Sequence, residues 1–371
     1  MPRPRAESRK RALARIQRLC CLGVGSETIM PDLLREVTTL CAAPDAVFCW
    51  IGSKGETSNF HATFAAASEL EFYFKEFHSL KRERDLFKQT NLARNWPRST
   101  PVLSWTEVLA ADRGKWLRSD YYNLLWRPYG FHDSLGLGVR THGRIGGMLF
   151  VFHETGQAPF EPRKTAALAS VAGFVAHSLT SAPLEDLAYA EGGDLALFVV
   201  DRNGNTQHAS LRARSLLSMA LVPRFSPTTN WQALHEPLPV VVELCKALAA
   251  TADGRIGQQP PVLRLQNLWG QFVLRAYWLG PTDGVEQTRD IGITIERRVP
   301  PLLALHRRLE RLPLTAREKQ LCLLLARNQS GPDLADATGL AASTVITHQR
   351  RIYAKLGVHS RAGLLAALQP G

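Results

Sequence analysis

The sequence predicts an α+β multidomain protein that ends in an all-helical domain. The chain has 371 residues, which is more than one domain usually contains. Strand and helix patterns alternate over roughly the first 300 residues, and short helical patterns with capping signals occupy the remainder. The apolar fraction of 45% and the charged fraction of 21% are ordinary for a folded protein.

An amphipathic helix is predicted near the start of the chain. Apolar residues recur at helical spacing over 12–20, and Arg11, Arg15 and Arg18 lie on the other side of that helix. Residues 1–18 contain seven Arg or Lys against one Glu, which is a formal charge of +6. We expect the helix to pack on the following domain or on a second subunit rather than to contact a nucleic acid or a membrane.

Strand and helix patterns alternate in the next part of the chain. The predicted elements are a helix at 32–40, a strand at 46–51, two strands at 134–140 and 145–153 with a turn between them, and a helix at 162–179. Residues 133–179 resemble the end of a GAF-type sensor domain, in which two antiparallel strands lead into a closing helix. The segment YYNLLWRPYGFHDSLGLGV before them also looks like GAF-like sensors. The resemblance implies a GAF-like α+β domain that, with the leading helix, spans 1–180.

A second domain is predicted after a Pro-, Gly- and acid-rich linker at 180–194. An apolar strand at 195–200, a turn with Asn-Gly chemistry and a strand at 206–209 precede a helical pattern. Further strands are predicted at 262–268, 271–279 and 291–296. The opening LFVVDRNGNTQHASLRARSLL is similar to the start of a PAS domain, and this implies a PAS-like α+β domain at 195–298.

A helical linker is predicted at 299–312. Leu302, Leu305, Leu309 and Leu312 follow one another at heptad-like spacings. This leucine seam either pairs two subunits or packs onto a neighbouring domain.

The C-terminal domain, 313–371, is predicted to contain four short helices. Thr315 and Glu318 form a capping box for the first helix, and Ser330 is the cap expected for the second, which ends at Gly339. The third helix spans about residues 342–356 and ends at Gly357, and Ser360 caps the fourth. A tight turn between the second and third helices matches a helix-turn-helix unit.

The third helix has two chemically different faces. Val345, Ile352 and Leu356 share a core face, with His348 and Gln349 beside it. The opposite arc carries hydroxyl and guanidinium groups: Ser343, Thr344, Thr347, Arg350 and Arg351. Hydroxyls bind phosphate oxygens, and arginine binds phosphates or guanine edges. Residues 301–371 have a formal charge of +6, which also favours double-stranded DNA as a partner.

The C-terminal domain resembles the DNA-binding domain of the LuxR family of bacterial regulators. The matching positions are Leu314, Thr315, Arg317, Glu318, Ala335, Thr344, Val345, His348, Ile352, Tyr353, Lys355, Leu356, Gly357, Val358 and Arg361. The resemblance implies a transcription regulator that acts as a homodimer on DNA, with N-terminal domains that respond to a small ligand or signal. It further implies that Ile346, Thr347 and Arg350 face bases. Contacts with the DNA backbone are then expected from Ser343, Thr344, Arg351 and Lys355.

Three positions depart from the LuxR pattern. Ile346 stands where the family usually has Lys or Arg, Ala341 replaces a capping Ser, and Thr338 replaces Leu. We expect the isoleucine to lower affinity or to alter sequence preference, and the missing cap to cost about 1 kcal/mol of helix stability.

The remaining sequence features predict a cytoplasmic protein without enzymatic activity, metal or cofactor. The six cysteines form no C-x-x-C pair and read as buried residues of a reducing compartment. No apolar run of about 18 residues predicts a membrane span. No nucleophile elbow or P-loop is present in the sequence.

Two alternative functions remain open from the sequence. Trp116, Tyr121, Tyr122 and Trp126 suggest an acyl-homoserine-lactone quorum receptor, although such a receptor lacks the additional domain of about 100 residues predicted here. A metal- or haem-binding sensor would use histidines that the sequence leaves scattered: His61, His78, His132, His142 and His153.

Overall fold

The computed structural model describes residues 3–64, 67–78, 84–88, 91–181, 188–252, 261–279, 290–327 and 331–368. The first part of the chain builds an antiparallel sheet. Its helices are α1 (Arg3–Cys20), α2 (Ser26–Cys41), α3 (Ala67–Phe72), α4 (Leu92–Asn95), α5 (Trp105–Val108), α6 (Arg113–Arg118), α7 (Pro162–Ala169) and α8 (Ala172–Thr180). Its strands are β1 (Asp45–Ile51), β2 (Thr57–Ala62), β3 (Val102–Ser104), β4 (Phe131–Thr141) and β5 (Arg144–Glu154), in the order β2-β1-β5-β4-β3.

Both faces of this first sheet are covered. Helices α2, α7 and α8 pack on one face, and the crossing segment that contains α3–α6 lies on the other. Strand β4 is accordingly buried continuously over 134–139. Gly138 is required there because a Cβ atom at this position would lie 2.6 Å from the Trp96 ring.

The predicted helix at 162–179 is two helices rather than one. Helix α7 ends at Ala169 and α8 begins at Ala172. Between them the Ser170 hydroxyl donates to the Ala167 carbonyl at 2.7 Å, which competes with the regular helical hydrogen bonds. The leading helix α1 packs against α2, α8 and α11 (Pro301–Glu310). Of the two partners predicted for this helix, the following domain and a second subunit, the structure shows contacts with the rest of its own chain.

The second part of the chain builds another antiparallel sheet. Its strands are β6 (Ala190–Val200), β7 (Thr206–Ala209), β8 (Val262–Asn267), β9 (Gly270–Trp278) and β10 (Ile291–Val299). Their order is β7-β6-β10-β9-β8, so both sheets follow the pattern 2-1-5-4-3 when each is numbered from its own first strand. Helices α9 (Leu211–Leu221) and α10 (Pro239–Ala252) accompany this sheet.

Strand β6 begins at Ala190, inside the segment 180–194 that the sequence predicted to be a linker. Gly193 has a positive φ of 73°, and a bulge lies at this point of the β6–β10 ladder. Arg307 donates to the Gly192 carbonyl, and Arg212 and Arg307 both pair with Asp194. These long-range contacts stabilise a strand whose local sequence favours a loop.

A buried arginine joins the two sheets. Arg297 on β10 donates to the Thr28 carbonyl on α2 at 2.7 Å and to the Trp269 carbonyl before β9 at 2.8 Å, and it pairs with Asp194 at 3.3 Å. Burial lowers the pKa of Arg297 to about 10, although Asp194 opposes that shift. Asp32 of α2 pairs in turn with Arg307 of α11 at 2.6 Å. Helix α2, the second sheet and α11 therefore share one network of ion pairs.

The chain ends in helices α12 (Ala316–Ala326), α13 (Gly331–Thr338), α14 (Ala342–Leu356) and α15 (Arg361–Leu368). They share a hydrophobic core with α11, the end of α1 and the start of α2. Leu305 and Leu309 of the leucine seam are buried in this core, and Leu302 and Leu312 pack against it. The seam therefore packs within the chain, which was one of its two predicted roles.

None of the helices in the described ranges is both long and apolar enough to cross a membrane.

Candidate nucleic-acid interface

The start of α12 is formed by the predicted capping box. The Thr315 hydroxyl accepts the Glu318 N–H at 3.3 Å, and Glu318 Oε2 accepts the Thr315 N–H at 2.7 Å. Helix α13 is followed by Gly339 with φ of +63°, the conformation of a helix end. The predicted cap Ser330 lies outside the described residues.

The C-terminal helices are held together by buried side chains and two arginines. Leu321, Leu334 and Val345 are buried together with Ile352 and Leu364 in the shared core. Arg317 donates to the Thr338 carbonyl at 2.7 Å, which connects α12 to the end of α13. Arg361 donates to the Leu325 carbonyl at 3.1 Å and connects α15 to α12. These arginines therefore act within the domain.

The opposite face of α14 is open to solvent. The exposed residues are Ser343, Thr344, Ile346, Thr347, Arg350, Arg351 and Lys355. The Thr347 hydroxyl donates to the Ser343 carbonyl at 2.9 Å, so its oxygen remains available as an acceptor. One end of α14 thus presents hydroxyls, and the arginines follow one to two turns later.

The three departures from the LuxR pattern have visible structural effects. Ile346 is 49% exposed on the outward face, where an apolar side chain gains nothing from the chain's own core. Ala341 leaves α14 without a side-chain cap. The Thr338 hydroxyl is buried and donates to the Leu334 carbonyl at 2.5 Å, so its helix satisfies the polar group.

The cationic side chains in the C-terminal part of the chain differ in their surroundings: some bind groups of the same chain and others are exposed to solvent. Lys319 pairs with Glu310 at 3.0 Å, and Arg327 donates to the carbonyls of Cys21 and Leu22. By contrast, Arg350 and Arg351 are exposed and form no ion pair or hydrogen bond with the residues that the structure describes. Two guanidinium groups on one exposed helix face are a suitable arrangement for binding phosphates and base edges.

Lys355 differs from these two arginines. Its ammonium pairs with Glu318 Oε2 at 2.7 Å. Burial alone would raise the pKa of Glu318, but hydrogen bonds from Lys355 and Thr315 lower it below the usual value. A contact of Lys355 with the DNA backbone would require the ammonium to leave or share this carboxylate.

The C-terminal helices dock on the rest of the chain through Glu310, at the end of α11. Its carboxylate accepts from Arg15 at 2.7 Å and from Arg18 at 2.6 Å, both on α1, and from Lys319 on α12 at 3.0 Å. Burial opposes ionisation, but these three cations lower the pKa of Glu310 to about 2. The sequence pattern did not reveal this contact because its partners are nearly 300 residues apart.

The histidines of the metal-sensor hypothesis do not gather in the described part of the chain. His61 lies beside the Trp269 ring, with a centroid distance of 5.4 Å, and His153 stacks on Phe160 at 3.6 Å. Among the described residues, no group of three or more His, Cys, Asp or Glu side chains is placed to hold a metal ion.

The C-terminal geometry agrees with a known family. Residues 312–367 match the family described as bacterial regulatory proteins, luxR family. They are a LuxR-family helix-turn-helix domain. Within this LuxR-family domain, Arg317, Glu318 and Arg361 make internal contacts, and the outward face of α14 is its exposed polar surface.

Solved structures to which the chain is similar include a phage VqmA in complex with DPO, at 19% identity over 47% of this chain and 80% of that chain, with a TM-score of 0.19. A Vibrio cholera VqmA–ligand–DNA complex is 14% identical over 46% of this chain and 80% of its own, with a TM-score of 0.19. The sensor region of a sensor histidine kinase is 16% identical over 44% of this chain and 62% of its own, again with a TM-score of 0.19. No curated protein matches the chain.

Proposed function

We propose that this protein is a sequence-specific, DNA-binding transcription regulator. The observation that supports the proposal is the exposed face of α14 in a LuxR-family domain, where Arg350 and Arg351 have no partner among the described residues. In this proposal α14 enters the major groove, and Ile346, Thr347 and Arg350 face bases. Ser343, Thr344, Arg351 and Lys355 bind the DNA backbone, Lys355 after release from Glu318.

The N-terminal part is proposed to sense a small ligand or signal. Both sheets have the strand order 2-1-5-4-3 with helices on at least one face, an arrangement that fits a GAF-like domain at 1–180 and a PAS-like domain at 190–299. Helix α11 then serves as the helical linker to the DNA-binding domain, which we place at 313–371. The ion pairs of Arg307 with Asp32 and with Asp194 connect helix α2 and the second sheet to that linker.

The regulator is also proposed to act as a homodimer on DNA. A dimer matches the two-fold symmetry of the sites that such domains read. The leucine seam is buried within the chain, whereas Leu195 and Leu197 on the outer face of β6 are 57% and 54% exposed. Sedimentation velocity of Leu197→Glu tests this surface, with Leu211→Glu as the control on another exposed leucine. A dimer that persists in Leu197→Glu would exclude β6 as the interface.

Genome-wide mapping of bound sites tests the DNA-binding function. Affinity for a mapped site is then compared between wild type and Arg350→Ala, with Arg144→Ala in the exposed β4–β5 turn as the control. We expect Arg350→Ala to weaken specific binding by about 1–3 kcal/mol without loss of the fold. Absence of enriched sites would contradict the proposed function, and unchanged affinity of Arg350→Ala would contradict the assignment of that residue.

A further inference from the structure

The first sheet and its crossing segment form a cavity of about 440 Å³ that opens to solvent on one side. Its walls come from β1, β2, β4 and β5, from the β1–β2 turn, and from residues of the segment between β2 and β4. Small-molecule sites in proteins usually have volumes of about 300–1,000 Å³.

Aromatic residues contribute a large share of the cavity wall: eleven of its 27 residues are Phe, Tyr or Trp. Trp105 and Trp126 lie with ring centroids 4.5 Å apart, and Phe64 meets Phe131 edge-on at 4.9 Å. Two π-helical turns, Tyr73–Phe77 and Tyr122–Trp126, contribute residues to the wall. Such turns are rare and occur often at functional sites.

The polar groups deep in the wall are uncharged. Burial raises the pKa of Cys49 to about 12 and raises that of Tyr73, which is hydrogen-bonded to Tyr121, well above its usual value. Burial also lowers the pKa of His78, which favours its neutral imidazole. The charged residues that line the cavity, Lys54, Glu56 and Glu69, are exposed and therefore lie at its solvent side.

We propose that this cavity binds a small, uncharged, mainly apolar molecule that contains a ring. The aromatic side chains favour ring edges and faces. Among the residues that the structure describes, the charged groups of the wall lie only at its solvent side, so an ionised ligand would find no counter-charge in its depth to compensate its desolvation. The inference builds on the proposed sensing function and names the class of ligand and its site, which lies in the first sheet rather than the second.

Two dyes with the same ring frame test the proposal. N-phenyl-1-naphthylamine is neutral, and 1-anilinonaphthalene-8-sulfonate adds one negative charge. We expect the full chain to bind one neutral dye molecule, with a fluorescence increase, at least tenfold more tightly than the sulfonate. Equal affinity for the two dyes, or no saturable binding of the neutral dye, would overturn the proposal.

Neighbouring leucines provide the matched variants. Leu125 lines the cavity, whereas Leu124 is 49% exposed and does not line it. Leu125→Trp fills the space and should weaken neutral-dye binding at least tenfold, while Leu124→Trp should leave it unchanged. Ala93→Phe fills the cavity from α4 and is the second variant if Leu125→Trp does not fold, as judged by circular dichroism. Binding that survives a folded, filled variant would place the dye elsewhere and overturn the assignment.

DNA binding is measured on the same protein samples. If specific DNA binding is present and the neutral dye does not bind, the ligand inference fails and the proposed regulator function stands. If the dye binds the cavity and no specific DNA site exists, the ligand inference stands and the proposed regulator function fails.

Discussion

The Lys355 ammonium lies 2.7 Å from Glu318 Oε2, the same oxygen that accepts the Thr315 N–H at the start of α12. One carboxylate thus joins the first turn of α12 to the last turn of α14. This relationship separates two kinds of charged residue in the LuxR-family domain. Glu318 and Lys355 hold the helices together, and Arg350 and Arg351 on the same helix remain exposed.

Glu318→Gln should lower the free energy of unfolding by about 1–3 kcal/mol, because it leaves the Lys355 ammonium without its buried counter-charge. Urea unfolding measures the change. Glu191→Gln is the control, since its side chain is 64% exposed and lies 3.7 Å from Arg298. We expect less than about 0.5 kcal/mol for the control. Equal losses in the two variants would show that the Glu318 contact adds no stability.

Arg351→Ala should weaken binding to all duplexes to a similar extent, because a phosphate contact carries no sequence information. The slope of log affinity against log salt should become shallower by about one unit. Fluorescence anisotropy with a specific and a scrambled duplex, at several salt concentrations, measures both effects. A loss confined to the specific duplex would instead assign Arg351 to base recognition. Arg144→Ala serves again as the control.

Ile346→Lys should strengthen DNA binding and steepen its salt dependence by about one unit, because the exposed isoleucine cannot neutralise phosphate. Ile346→Met is the matched control, as it keeps an apolar side chain of similar size. The same anisotropy titrations measure both variants. If lysine weakens binding to the mapped site and methionine does not, Ile346 contacts an apolar base edge such as a thymine methyl group.

The Glu310 contact should make docking of the DNA-binding domain sensitive to acid. The folded pKa of Glu310, about 2, lies below its ordinary value of 4.5. Its stabilising contribution is therefore complete above about pH 4.5 and is lost as pH falls toward 2. The free energy of unfolding, measured between pH 6 and 2, should fall more steeply with decreasing pH for wild type than for Glu310→Gln. Parallel profiles would show that Glu310 does not carry this dependence.

Much of the C-terminal domain was predictable from local sequence. Thr315 and Glu318 predicted the start of α12, Gly357 predicted the end of α14, and the spacing of Val345 and Ile352 predicted its buried face. Capping and helical periodicity are interactions among residues close in sequence, so the chain records them locally. The outward face followed from the same periodicity, and its contacts with DNA remain a prediction.

The features that the sequence did not reveal depend on distant residues. The segment at 190–194 forms a strand because Asp194 forms ion pairs with Arg297 and Arg307, which lie more than 100 residues later in the sequence. The cavity could not be located because its wall is assembled from four strands and a crossing segment. Tyr121 and Trp126, two of the aromatic residues that suggest a quorum receptor in the sequence, both line that cavity.

Arg297 has a thermodynamic consequence for the whole N-terminal part. If one sheet melted alone, the guanidinium would lose either the Thr28 carbonyl or its partners Trp269 and Asp194, and the surviving sheet would keep a charge without its full set of acceptors. Heat should therefore melt the two sheets in a single cooperative transition, which differential scanning calorimetry would record as one peak. Two separate peaks in wild type would contradict this coupling, and Arg297→Met is the variant in which they are expected to appear.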